Sequence, residues 1–431
     1  MKFVLCILSV CVLAGFVFIT GCGGIKDDIS TNQDDISSNT AAIESCQQCH
    51  SATSDIGNKI LGAQAGYESS GHLLGPRTYA EATIATNTGE TFMFHGSDAM
   101  YCNGSPCLKC HTHQGFVEYV TTGTNASTVV PSASPPGCFT CHQPHENDDF
   151  TLSTTAAVTL VNGTTSFDQG DGNLCATCHM ATGKVDDFVT GTFPKSIASY
   201  EGPHHGPQAD FIMGVNYWDS GQTMAGVSVH SKKSATGPQD SCVTCHHYLS
   251  TSRQSGSLEM GGHGFYMSAD VHGTEKDLGD VCLQCHTGEF TTDFSGHAND
   301  FEANSIPALD YDGDSVSENM LLEIKGLRDT LIGYFGNGIA NFTGNGTGAI
   351  VDAATGAADA TSGEWHKNWD FASSVDVTKV QAQSLWNFKY FMEDKSHGVH
   401  NPKFAAQILW DAIKNLNDNA GAGLTIGTSP H

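Results

Sequence analysis

Positive charge is scarce in this sequence. Its 431 residues carry 19 Lys plus Arg against 46 Asp plus Glu, a formal net charge of −27. That balance argues against nucleic acid as a partner, because a phosphate backbone is gripped by a basic face. After the first two dozen residues there is no apolar run long enough to span a bilayer. Stretches with strand-like alternation are few, and residues 287–431 contain no cysteine.

What the chain does have is 16 Cys and 21 His. Six segments read CxxCH: 46–50, 107–111, 138–142, 175–179, 242–246 and 282–286. Composition alone would supply about 0.03 copies of this attachment signature. On one helical turn, residues i, i+3 and i+4 share a face, so two thiols can add to the vinyl groups of one porphyrin while the adjacent imidazole reaches its iron. Zinc sites, redox pairs and disulfides also use CxxC, but none requires a His directly after the second Cys every time. The expectation is six covalently bound haem c groups on Cys46, Cys49, Cys107, Cys110, Cys138, Cys141, Cys175, Cys178, Cys242, Cys245, Cys282 and Cys285. Their proximal ligands would be His50, His111, His142, His179, His246 and His286. Cys102 is left over, as an alternative attachment point, an intermolecular bridge or an inert buried thiol.

Fifteen further histidines are enough to give every iron a second axial ligand. Two His ligands close an iron and make it a relay, whereas an open position makes it a catalyst. The distal candidates are His72, His95, His145, His205, His230, His263 and His400. One of the pair His204 and His205 is read as a ligand, with His205 favoured. His113 and His247 lie too near their own motif histidines, and His272, His297, His366 and His431 rank below the rest.

The N-terminus reads as a secretory signal, with Lys2 ahead of an apolar stretch from Phe3 to Ile19. It ends Ile19-Thr20-Gly21-Cys22, which resembles the bacterial lipobox and makes Cys22 the lipidated first residue of the mature chain. Gly23 favours sorting to the outer membrane. Residues 22–45 form a polar tether in which Ile29, Ile36 and Ile43 recur at heptad spacing, with Asn32 and Asn39 three places after the first two. This resembles the repeat of trimeric adhesin stalks, although two heptads hold no coiled coil unaided.

The haem-binding region is expected over 46–300 and a helical C-terminal region over 301–431, packing on the haems. Helical spacing predicts helices over 316–334, 376–393 and 403–416. The fold class is mainly α with extensive loops and few strands, its core packed by haem. Asp310, Asp312 and Asp314 resemble part of a calcium loop, but Ser315 and Leu321 stand where an EF-hand has Gly and Glu. An acidic cap ahead of the first of these helices is the preferred reading, with calcium as the alternative.

The order CHxPH, HHGPQAD, GGHxF and GVHNPKFA resembles bacterial multihaem cytochromes related to the nitrite and octahaem reductase group. Within it, the resemblance is nearest to outer-membrane multihaem lipoproteins of metal-reducing bacteria. It implies His400 rather than His397 as a distal ligand. It also implies electron transfer at the outer membrane, on its cell-surface or periplasmic face, in metal or interspecies respiration. Partners would be other multihaem cytochromes or a porin–cytochrome conduit, with metal ions or minerals as acceptors and a lipid anchor in the membrane. The nitrite reductases carry a CxxCK motif that leaves their catalytic iron accessible, and this chain has none. Terminal oxyanion reduction and a place in a cytochrome filament are the alternatives. A flexible linker is the preferred reading of the tether; the heptad pattern is the alternative, and with it the intact lipoprotein in detergent would be a homotrimer. Sedimentation at a monomer's mass would remove it.

Overall fold

In the computed structural model the described residues are 37, 55–73, 105–124, 134–143, 150–197, 201–204, 206–231, 240–249, 258–271, 274–286, 309–336, 350–352, 369–371 and 375–431. The chain divides into two compact units, Met1–Ala65 and Gly66–His431. Of the first, Ser37 and the opening turns of one helix are described. The sites below all lie in the second.

The helices are α1 (Asp55–Glu68), α2 (Ser105–His111), α3 (His113–Thr122), α4 (Cys138–Cys141), α5 (Gly172–Ala176), α6 (Val185–Val189), α7 (Gln208–Met213) and α8 (Cys242–His246). Three long ones follow: α9 (Met320–Gly336), α10 (Lys379–Asp394) and α11 (Pro402–Ala420). The strands form four two-stranded antiparallel ladders among the described residues. They pair β1 (Val158–Thr159) with β2 (Ser166–Phe167), β3 (Lys195–Ile197) with β8 (Val375–Val377), β4 (Ser268–Val271) with β5 (Thr274–Asp277), and β6 (Ile350–Asp352) with β7 (Trp369–Phe371). The protein is thus mainly helical, with short strands and long connections.

The three long helices begin where the local chemistry allows. Residues 316–319 are not helical, although the apolar spacing predicts a start there. Glu323 reaches back to accept from the backbone N–H groups of Tyr311 (2.7 Å) and Glu318 (2.9 Å), which holds 311–318 as a turn. The Asn319 side chain then accepts from Leu321 and Leu322, so α9 begins after it. Thr378 and Gln381 form a reciprocal capping box at the start of α10. Pro402 opens α11, and Gly421 closes it in the left-handed conformation.

These helices carry most of the apolar core. Ile324, Leu327, Leu331 and Phe335 recur on one face of α9, and Phe404, Ile408, Leu409, Ile413 and Leu416 on α11; all are fully buried. The core is not confined to them. Phe211 of α7 is fully buried, with ring centroids 5.3 Å from Tyr390 and 5.2 Å from Phe404. Phe188 of α6 packs on Trp386, whose indole N–H donates to Asn216 O at 2.8 Å. The β3–β8 ladder adds backbone pairing between 195–197 and 375–377. The C-terminal helices therefore fold as one body with the segment that follows the fourth CxxCH motif.

The earlier motif segments hold far less apolar packing. Their second cluster is Val158, Leu160, Phe167 and Ala176, with Ala209 and Ile212. A large-to-small change where the two parts meet should be costly. Phe211→Ala is expected to lower stability by about 3–5 kcal/mol, read as a lower denaturant midpoint, whereas an exposed change such as Val316→Ala should move it little.

Candidate haem-binding site

Each motif in the described residues sits on a single tight turn. The motif at 107–111 ends α2, and α8 is the motif at 242–246. In the others the His N–H closes a turn on the first Cys carbonyl, at 2.9 Å for His142 to Cys138, 2.8 Å for His179 to Cys175 and 2.9 Å for His286 to Cys282. This puts first thiol, second thiol and imidazole on one side, as the 3.6-residue period requires. Burial raises the thiols of Cys141 and Cys245 to about 11. Cys242 is the exception, lowered to about 7 by a hydrogen bond from Cys175. Environments that keep sulfur neutral suit thioethers better than the thiolates of a zinc site.

The motif histidines are not alone. His179 faces His72 with ring centroids 6.0 Å apart, His111 faces His204 at 6.3 Å, and His142 faces His263 at 6.0 Å. His286 faces His230 at 6.2 Å, and His246 faces His400 at 6.2 Å. With an imidazole nitrogen about 2.0 Å from a metal, two axial rings on one iron have centroids about 6.3 Å apart. All five separations fit an iron between the rings.

The ring nitrogens fit as well. His142 Nδ1 meets Phe150 O at 2.8 Å, His246 Nδ1 meets Phe265 O at 2.9 Å, and His230 Nδ1 meets Val399 O at 2.6 Å. His179 Nδ1 meets Gln208 Oε1 at 3.1 Å, and His400 Nδ1 meets Asp394 Oδ1 at 2.7 Å. An acceptor at Nδ1 keeps the proton there and leaves the Nε2 lone pair for the metal. Burial also lowers the pKa of His72, His246 and His263 to about 4, which keeps these rings neutral and able to ligate. His400 goes the other way: burial opposes its charge, but the Asp394 carboxylate outweighs that and raises it.

Of the sequence candidates, the structure brings His72, His230, His263 and His400 to motif histidines. His204 faces His111, while its favoured neighbour His205 lies outside the described residues. Cys22, Cys46, Cys49, His50, His95 and His145 also lie outside them, and of Cys107 only the backbone is described. His113 bonds Thr140 Oγ1 at 2.9 Å, and His247 stacks edge-on to His263. His431 bonds the Asp411 carboxylate at 2.9 Å. Asp310, Asp312 and Asp314 do come together, with one carboxylate oxygen of each within 4.8 Å of the others. Each also accepts backbone N–H groups of its own turn, as Asp310 does from Gly313 and Ser315.

Sequence reasoning passed over Gln208 and Asp394. Gln208 holds His179 by its oxygen and donates to the backbone carbonyls of Glu393 (3.3 Å) and Asp394 (3.1 Å). One segment thus reaches three motif histidines: Asp394 O bonds through Gln208 to His179, Val399 O bonds His230, which faces His286, and His400 faces His246. The turns also touch directly. Cys110 Sγ lies 3.9 Å from Cys178 O, and Cys178 Sγ lies 3.6 Å from Lys109 O. A Cβ at Gly172 would stand 2.9 Å from Asp240 O, so glycine lets α5 approach α8.

No known family profile matches the chain. Among curated proteins it is similar to the C-type polyheme cytochrome OmcB of Geobacter sulfurreducens, from two strains, at 22% identity over 385 residues. That alignment covers 87% of this chain and 44% of OmcB. Among solved structures it is similar to the outer cell wall cytochrome OcwA, with a TM-score of 0.39 and 16% identity, over 81% of this chain and 49% of OcwA. The chain therefore spans less than half the length of either relative. Repeated CxxCH turns, histidines facing the motif histidines, and similarity to a polyheme cytochrome point the same way: the chain resembles multihaem c-type cytochromes.

Proposed function

We propose that the chain binds six haem c groups and relays electrons at the outer membrane, handing them to other multihaem cytochromes, to metal ions or to minerals. The observation that carries this reading is the second histidine opposite each of the five described motif histidines. When bound, haem c supplies one-electron exchange between Fe(III) and Fe(II). The residues fix where that exchange takes place: two histidines exclude exogenous ligands, and the Nδ1 partners lock the rings.

Contact between motif turns supports a relay rather than isolated centres. The turn at 175–179 touches those at 107–111 and 242–246, so three attachment points adjoin. The net charge of −27 favours cationic acceptors or basic patches on a partner. The same charge would repel the anionic substrates of an oxyanion reductase. Lipidation at Cys22 after removal of residues 1–21, with 22–45 as tether, would hold the body at the membrane. No helix among the described residues is long and apolar enough to cross one.

Low-temperature EPR of the oxidised holoprotein tests the reading. Six low-spin ferric haems are expected, and a five-coordinate high-spin haem would point to an enzyme instead. Replacing a facing histidine should open one iron only. His230→Ala is expected to turn one low-spin signal high-spin and leave the others unchanged, whereas His431→Ala should alter none. Metabolic labelling with palmitate should mark the wild-type chain and not Cys22→Ala.

A further inference from the structure

The five hydrogen bonds described above at ligand Nδ1 atoms differ in one respect. Four acceptors are neutral: the carbonyls of Phe150, Phe265 and Val399, and the amide of Gln208. The fifth is a carboxylate, Asp394, whose side chain is fully buried. We propose that Asp394 lowers the reduction potential of the iron held between His246 and His400. The inference rests on the paired-histidine reading above.

Two effects act in the same direction. A carboxylate accepting from Nδ1–H gives the ring imidazolate character and makes Nε2 a stronger donor, which favours Fe(III). The buried negative charge also favours the extra positive charge of Fe(III) by Coulomb attraction. Reduction adds one electron to the iron, and the proton stays on His400 Nδ1. A neutral acceptor, such as the Gln208 amide at His179, gives the first effect more weakly and the second not at all.

The placement of Asp394 is not what helix stability would select. It is the last residue of α10, where the helix dipole disfavours a negative charge, and no basic residue occupies that last turn. Its surroundings hold it on the ligand. Asp394 Oδ2 accepts from the Ser396 N–H at 3.3 Å and from the Ser396 hydroxyl, which in turn accepts from His400 N at 3.0 Å. Lys395 and His397 both take left-handed backbone, each with φ 58°, and fold the chain so that Oδ1 meets the ring six residues on. A carbonyl could have oriented the ring, as it does for His246. A buried carboxylate at a helix C-terminus is explained by the charge it delivers.

Its location adds a consequence. Gln208 ties the Asp394 backbone to the ligand of one neighbouring iron, and Val399 O ties the same segment to the ligand of another. The low-potential centre would thus stand between neighbours rather than at an end, as a step that electrons must climb.

Potentiometric titration of the haem-loaded protein, followed optically, reads this directly. In Asp394→Asn one midpoint should rise by at least the equivalent of a tenfold change in the Fe(III)/Fe(II) ratio, about 59 mV, with the rest unmoved. Asp394→Glu should stay near the native value. Ser396→Ala, which leaves the carboxylate fewer donors, should move the same midpoint down, and it serves where the Asn variant fails to accumulate. EPR on each variant should show the native number of low-spin haems. An unchanged titration with ligation intact would overturn the proposal. So would loss of a low-spin signal in Asp394→Asn, which would make Asp394 a steric prop. A high-spin haem in the native protein would instead contradict the paired-histidine reading.

Discussion

Everything in the site depends on imidazole rings facing each other across 6.0 to 6.3 Å, with Nδ1 of His142, His179, His230, His246 and His400 held by an acceptor. The distance fits a metal between them. The surrounding structure is organised to hold this spacing. Where an acceptor is seen, it is rigid: a carbonyl at the end of a short turn, an amide tied to two other carbonyls, or a carboxylate clamped by a serine. Several histidines that packed together without these acceptors would be costly, because each ring would bury an unmet polar group.

The long C-terminal helices serve that arrangement from outside it. Their aromatic and aliphatic core supplies most of the apolar burial, and Phe211, Tyr390 and Phe404 join it to the motif region. The turn between α10 and α11 then carries His400 to face His246, holds His230 opposite His286 through Val399 O, and reaches His179 through Gln208. The division of labour has a physical reason. Segments of 31 to 67 residues between motif starts, rich in Gly, Thr and Ser, cannot bury enough side-chain surface alone. A compact helical layer provides a rigid base, and the cofactor-bearing turns are braced against it.

The attachment turns were legible because they are local, with all their chemistry within five residues. The facing histidines were legible as a set, since His72, His230, His263 and His400 stood in suggestive contexts. Which histidine meets which was not. His72 precedes the second motif yet faces the fourth, a pairing made by tertiary structure alone. The pair His204 and His205 shows the limit: the two are identical in type, and His204 is turned to His111 from a left-handed backbone at φ 70° that nothing in the sequence announces. Backbone carbonyls as Nδ1 acceptors leave no trace in a sequence. The start of α9 was misplaced for a related reason, because Glu323 recruits the preceding turn away from the helix.

The central claim is that each of five irons sits between two named histidines. A crystal structure of the haem-loaded protein, with anomalous maps recorded at the iron edge, tests it most directly. The account predicts iron peaks between His72 and His179, His111 and His204, His142 and His263, His230 and His286, and His246 and His400, with a sixth beside His50. A peak at any of these motifs with water or an empty position opposite the motif histidine would contradict it.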